Sequence, residues 1–313
     1  MKLTQIRDIA AVAERGSLRA AARQLGLAQP AISRSIRELE HELGVGLFER
    51  SARGVKLTPA GELFLRRART VQNELRQARE EIAQARGETT GQVSVGLSTA
   101  SHIALLPRVI EPFRQRYGDT FLRITEGLFP NLEPALRDGD LDFYVGPLAE
   151  TPSKEFLVEK LFDNTRVVFG RKGHLLSNAR SLRDLTEAQW ITTTVTSASQ
   201  AELYPLFESH GLPRPKVAMQ APSALSMIVA AGNSDLLMML PEQWLGSHLA
   251  DEMLEAFHLE ETLPAAPICI VHRARLPLTP AAEFFADLLR RSAEHHRARR
   301  AAGGSKKDPL GSG

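Results

Sequence analysis

Residues 20–50 read AAARQLGLAQPAISRSIRELEHELGVGLFER, and the spacing within them decides how the chain begins. Ala20–Leu25 is predicted as a short helix of small residues that Gly26 ends. A second helix starts at Gln29-Pro30, because proline at the first helical position gives up an N–H that has no intrahelical partner there. Ile32, Ile36, Leu39 and Leu43 then recur at spacings of four, three and four, which predicts one buried stripe. The opposite face carries Ser33, Arg34 and Arg37, with Gln29 at its start. A helix, a tight turn and a second helix with a cationic, hydrogen-bonding face form a helix-turn-helix pattern, whose second helix enters a major groove. A solvated helical hairpin would show the same stripe, so the neighbouring segments have to decide.

Those segments extend the pattern on both sides. Upstream, Leu3, Ile6, Ala10 and Ala13 predict a helix on which the pair packs. Downstream, Phe48–Leu57 predicts a two-strand wing turning at Gly54, with Arg50, Arg53 and Lys56 placed for phosphates. In GSLRAAARQLGLAQPAISRSIRELEHELGVGLFER and GVKLTPAGE the chain resembles the N-terminal winged helix-turn-helix of the LysR-type transcriptional regulators, and the likeness runs from Met1 to about Arg86. The resemblance implies double-stranded promoter DNA as a partner, with Gln29, Pro30, Ser33 and Arg34 at base edges or adjacent phosphates. Arg37, Arg50, Arg53 and Lys56 would then lie on the backbone.

Composition agrees with a polyanion partner at one end. Residues 1–69 hold 13 Lys/Arg against 7 Asp/Glu, residues 70–289 hold 19 against 28, and residues 290–313 hold 7 against 2. A basic head on an acidic body suits DNA at the head alone. The length of 313 residues predicts about two domains, and 43% hydrophobic content is ordinary for a globular chain. Cys269, alone of its kind, sits in the apolar run Pro267–Val271 and reads as a buried strand residue. Arg7 and Asp8 interrupt any signal-peptide core, and Gly232–Asp235 cuts the apolar run 225–240, so a cytoplasmic protein with no membrane span is expected.

Thr58-Pro59 repeats a capped helix start. From there Phe64, Ala68, Val71, Leu75, Ala78, Ile82 and Ala85 alternate at four and three, a heptad seam along about 30 residues. The seam could pack on its own chain, but a second copy is the better fit for a reader of two-fold DNA sites. The resemblance implies the same: this is the family's dimerising linker helix, and the assembly is a homotetramer, a dimer of dimers. RNA polymerase is a further expected partner.

The remainder alternates strand and helix: strands at 93–97, 121–125 and 141–145, helices at 104–117 and 131–137. Further strands follow at 165–169, 190–192, 216–219, 235–240 and 268–271, with helices at 201–210, 223–231 and 280 to about 298. Parallel sheets covered by helices follow from that order. With the segment Leu136–Phe143, LRDGDLDF, this half resembles the family's two-lobed effector region, a type II periplasmic-binding-protein fold, with crossovers near 160–164 and 262–267. The expected fold class is therefore α+β multidomain. Its parts are a winged helix-turn-helix at 1–58, a linker helix at 59–88 and an effector-binding domain at 91–300. Lobe I takes 91–161 and 268–300, lobe II takes 162–267, and 301–313 is expected to be a disordered tail.

Open α/β sheets bind ligands beyond the carboxyl ends of their strands. That rule and the resemblance select Ser98, Thr99, Ala100, Ser101 and His102 after the first strand, where hydroxyls and free N–H groups suit an organic anion. His102 is as readily a surface residue; for Ser98–Ser101 the ligand reading is preferred over a simple helix cap. Phe129 follows the second strand as pocket wall or core, and Gly146 follows the third. In the second lobe, residues 192–199 carry six hydroxyls, from which Thr194 and Thr196 are selected, and Ser223 is a cap or a ligand contact. Neither a Gly-x-Ser-x-Gly elbow nor a phosphate-binding lysine loop occurs, and no ligand spacing for a metal, so no enzyme, cofactor or metal is expected. A solute receptor for transport and a sequence-neutral DNA protein remain as alternatives.

Overall fold

The computed structural model describes residues 1–51, 54–193, 200–221 and 223–304. Arg53, Thr194, Thr196 and the tail from 305 lie outside the described residues. The described residues fall into two compact units, 1–88 with 135–141, and 89–134 with the remainder from 142.

The first unit opens with α1 (Leu3–Arg15), α2 (Leu18–Leu25) and α3 (Gln29–Leu43). Ser17 caps α2 by accepting the Ala20 N–H, and Gly26 ends it with φ of 65°, a left-handed conformation that a residue with a Cβ resists. Ile6, Ile9 and Val12 meet Ala21, Ala22, Ile32, Ile36 and Leu39 in one core. The stripe expected on α3 is buried for three of its four members, while Leu43 is 41% exposed. The helix stops at Gly44, and Leu47, 1% exposed, closes the core in its place.

The wing is an antiparallel pair, β1 (Phe48–Ser51) with β2 (Gly54–Leu57). Two tethers hold it. Glu40 of α3 accepts the N–H groups of Leu47 and Phe48 on one carboxylate oxygen, at 2.8 and 3.2 Å, and Val55 N–H donates to the Gly16 carbonyl at 3.0 Å. The long helix α4 (Pro59–Ala85) begins at the base of the wing. Thr58 Oγ1 accepts from Gly61 N–H at 3.0 Å and donates to the Gly46 carbonyl at 2.8 Å. Gly61 is required because any Cβ there would collide with the Leu47 carbonyl oxygen. Further along α4 the seam lies open: Val71, Leu75 and Ile82 are 40, 38 and 64% exposed.

The second unit is built on a sheet of nine strands among the described residues. In chain order β3 (Gly91–Leu97) leads to α5 (Thr99–Ala104), a 3₁₀ turn at Leu106–Arg108, α6 (Ile110–Arg116) and β4 (Thr120–Glu126). The single helix expected over 104–117 is thus divided; Pro107 lacks the N–H that a continuous helix would use. Then come α7 (Phe129–Arg137), β5 (Phe143–Pro147), β6 (Phe156–Arg171), β7 (Gln189–Thr193), α8 (Gln200–Ser209), β8 (Lys216–Ala221) and α9 (Ala224–Gly232). The chain finishes with β9 (Leu236–Pro241), α10 (His248–Asp251), β10 (Leu254–Phe257), β11 (Leu263–Arg273) and α11 (Pro280–Gly304). The last helix continues four residues into the tail expected to be disordered from 301, where Ala301 and Ala302 still favour helix.

The strand order is β4-β3-β5-β11-β6-β9-β7-β8, with β10 also on β6. Strands β3, β4 and β5 are parallel and make lobe I; β7, β8 and β9 are parallel and make lobe II. The crossovers expected near 160–164 and 262–267 are continuous strand: β6 and β11 pair along both lobes, with a register shift between Ala265 and Ile268. Lobe I packs Phe113, Phe143, Phe285 and Leu289 into its core, and lobe II packs Trp190 and Phe207 on one sheet face and Met227, Met238 and Trp244 on the other. The LRDGDLDF segment explains itself through Asp142, whose carboxylate accepts Ser94 N–H while its own N–H donates to the Ser94 carbonyl, both at 2.7 Å. Cys269 is buried in β11, as its apolar run predicts, and burial pushes its thiol above the ordinary range. No helix among the described residues is long and apolar enough to cross a membrane.

Candidate functional sites: a basic helix face and an inter-lobe cleft

On α3 the residues opposite the buried stripe share one face. Gln29, Pro30, Arg34 and Arg37 are exposed and Ser33 is half-buried. Arg37 Nε donates to the Ser33 carbonyl at 3.2 Å, which lays its stem along the helix. The wing adds Lys56, exposed on β2 and paired in register with Glu49 of β1. An opposite charge directly across the ladder tempers what that lysine offers an anion. Arg50 stands opposite Val55 on the ladder.

At the carboxyl end of β3, Ser98 caps α5 and its hydroxyl meets that of Ser101 at 3.0 Å. Ser101 Oγ donates onward to the Val145 carbonyl at 2.9 Å. Ser98, Ala100 and Ser101 are buried, so two of the expected anion-binding hydroxyls bind the protein itself. Thr99 and His102 are half-exposed; Thr99 Oγ1 donates to Glu126 at 3.5 Å, and His102 Nδ1 lies 2.9 Å from the Ser98 carbonyl. Phe129 is 7% exposed and packs in an aromatic group with Tyr144 and Phe156, at 5.6 and 5.8 Å between ring centres. Beside them Gly146 leaves room for the Tyr144 ring and for Ser98, which a Cβ would strike. Burial holds the Tyr144 phenol far above its usual range. In lobe II, Ser223 caps α9 and its hydroxyl meets Ser226 at 2.9 Å.

Two family models divide the chain between them. Residues 3–62 match the bacterial regulatory helix-turn-helix protein of the lysR family, and residues 86–294 match the LysR substrate binding domain. The chain belongs to the LysR family of transcriptional regulators. The HTH-type transcriptional regulator TdcA of Escherichia coli (strain K12) is 28% identical over 286 residues, 91% of this chain and 91% of its own. A full-length OxyR from Pseudomonas aeruginosa shares the architecture with a TM-score of 0.68 at 26% identity, covering 93% of this chain and 95% of that one. CbnR, a LysR family transcriptional regulator, superposes with a TM-score of 0.70 at 22% identity, over 94% of this chain and 99% of its own; that likeness concerns the fold. LysR proteins are DNA-binding transcriptional regulators, and this chain carries both of the family's regions, the helix-turn-helix and the substrate-binding region.

Between the lobes of this LysR substrate-binding region the structure adds residues that the sequence reading passed over. Glu242, Gln243 and Trp244 form a 3₁₀ turn at the end of β9, packed against α5 of lobe I and against β6. Glu242 accepts from Thr165 Oγ1 at 2.5 Å, Asn164 Nδ2 donates to the Ala266 carbonyl at 3.4 Å, and Ile103 of α5 packs against the lobe II core. The rule about carboxyl strand ends would have found this turn had it been applied to the strand ending at Leu240 as it was to the earlier ones.

Proposed function

We propose that this LysR regulator binds a partly palindromic promoter site and changes transcription when a small effector occupies the inter-lobe cleft. The observation that carries the reading is the division of α3 into a face sealed into the core and a face of Gln29, Pro30, Ser33, Arg34 and Arg37 left to solvent. Gln29, Pro30, Ser33 and Arg34 read bases or adjacent phosphates in the major groove, and Arg37, Arg50, Arg53 and Lys56 hold the backbone. CbnR, of the same fold, has been solved in complex with its target DNA. The working division is the winged helix-turn-helix at 1–58, the linker helix at 59–88 and the effector domain at 91–300.

The uncovered seam of Val71, Leu75 and Ile82 supports a second copy against α4, and we extend this to a dimer of dimers acting in the cytoplasm with RNA polymerase as a partner. Ser98, Thr99, Ala100, Ser101, His102, Phe129, Gly146, Thr194, Thr196 and Ser223 mark the stretches that bound the effector cleft. The Ser98 and Ser101 hydroxyls are engaged internally, which takes away the two groups that most favoured an organic anion there. The test is fluorescence anisotropy with the fragment upstream of the protein's own gene against a scrambled duplex, across a salt series. Preference for the promoter fragment at physiological ionic strength is expected; equal affinity for both would overturn the reading.

A further inference from the structure

Three buried, uncharged polar side chains come to the carboxyl edge of the lobe II sheet and its crossover. Gln243, in the turn after β9, is 8% exposed, and neither its Oε1 nor its Nε2 has a hydrogen-bond partner. Thr192, next to the last residue of β7, is also 8% exposed, and its Oγ1 is unpartnered. Asn164, on β6 where the lobes meet, is 4% exposed; its Nδ2 bonds Ala266, while its Oδ1 has no partner. In register, Asn164 lies two residues before Arg166, which pairs with Pro241 of β9, and Gln243 lies two residues after Pro241; Thr192 follows Ile191, which pairs with Met238 of β9.

Buried amides and hydroxyls are nearly always satisfied, because an unmade hydrogen bond away from water destabilises the fold. A turn of packed protein that keeps both atoms of one carboxamide unsatisfied is therefore a candidate for use by something else. The charged groups at the same edge also keep one unpartnered atom each, Glu242 Oε1 and Arg166 Nε, but their other atoms are in use. Glu242 holds Thr165, and both it and Arg166 are engaged within the chain. The side chain with both of its polar atoms unpartnered, Gln243, is neutral. Gln243 presents a donor and an acceptor in one plane, and its complement is a planar edge with a carbonyl beside an N–H, which a carboxamide or lactam supplies.

We propose that the effector carries an uncharged amide-type group and that Gln243 recognises it, with Thr192 and Asn164 as further hydrogen-bonding positions on the same edge. This rests on the assignment of the inter-lobe cleft to the effector. It places recognition of the neutral group on lobe II, where the turn touches α5 of lobe I, so that the same contact links ligand and lobe closure.

The test uses the full chain. Gln243→Met keeps the volume and removes both polar atoms. Without ligand the variant should melt roughly 2–4 °C higher than the unmodified protein, as expected when an unsatisfied buried group is replaced by an apolar one. Thermal shift is then read with matched pairs at millimolar concentration: nicotinamide with nicotinate, benzamide with benzoate, glutamine with glutamate. At least one amide should raise the melting temperature above its paired acid, and Gln243→Met should abolish that difference. A lower melting temperature for the variant makes Gln243 a structural residue and overturns the inference, as does a larger shift with the acids or no shift with any pair. Promoter binding by the unmodified protein is measured alongside. Loss of promoter preference sinks the regulator reading, whereas intact preference without amide discrimination sinks this inference alone.

Discussion

The DNA-binding head and the two-lobed region use polar residues in opposite ways. In the head, the side chains that would do the work are those the core does not need: Ile32, Ile36 and Leu39 bury one face of α3, and Gln29, Arg34 and Arg37 occupy what is left. In the lobes, polar groups are drawn inward. Ser98, Ser101 and Asp142 all tie strand ends or helix caps to neighbouring backbone. A surface that recognises a polyanion can be made of solvated side chains on a rigid helix, because charge acts through water at short range. A cleft that recognises a small molecule has to remove water, so its polar residues compete with the needs of the fold.

The largest expected effect tests whether the head is as rigid as its contacts imply. Gly61→Val drives side-chain atoms into the Leu47 carbonyl and should destabilise the head by about 3 kcal/mol or more. Calorimetry should show an early transition for the head while the two-lobed region melts as before; a single unshifted transition would refute the rigid junction. Next in size is the seam. Placing a charge on it with Ile82→Asp together with Leu75→Asp should weaken self-association at least roughly tenfold by sedimentation, since each carboxylate would have to be desolvated in the interface. An unchanged sedimentation profile would mean that the seam of α4 is not where copies meet.

The smallest effects sharpen the division of labour within the head. Arg34→Ala should cost about 1–3 kcal/mol on the promoter fragment and little on random duplex, relaxing preference. Lys56→Ala should weaken both alike and lower the salt slope by about 1. Its neighbour Glu49 sets the direction of a companion variant: Glu49→Gln should strengthen binding to both duplexes slightly. Equal losses on specific and random DNA for Arg34→Ala and Lys56→Ala would end the distinction between base reading and backbone contact.

Much of the head was legible in the sequence because its signals are local. Proline at the start of α3, glycine after each short helix and a stripe at helical spacing each act within a few residues. Leu43 was misplaced because periodicity continues to the helix end whether or not the core extends that far. In the lobes, strands and helices were found at the right places, yet Pro107 divided a helix that apolar spacing alone runs together. The four-residue β10 is too short to carry an alternating pattern. The two long strands β6 and β11 were read as strand plus connector, because exposed residues such as Glu159 and Lys160 look like a break when one expects burial. Gln243 was invisible for a different reason. A glutamine one turn past a strand has no pattern, and what distinguishes it is an unmade bond that exists only once the lobes are packed.

The knot of contacts among Gly46, Leu47, Thr58 and Gly61 has a mechanical consequence. Because the first turn of α4 is bonded to the base of the wing, the helix and the reading head swing as one lever. Twenty-seven residues span about 40 Å. Over that arm a tilt of about 5° moves the far end by about 3.5 Å, close to the rise of one base pair. If two such levers cross at the α4 seam, as proposed, modest pivoting there is enough to change which pair of half-sites they fit.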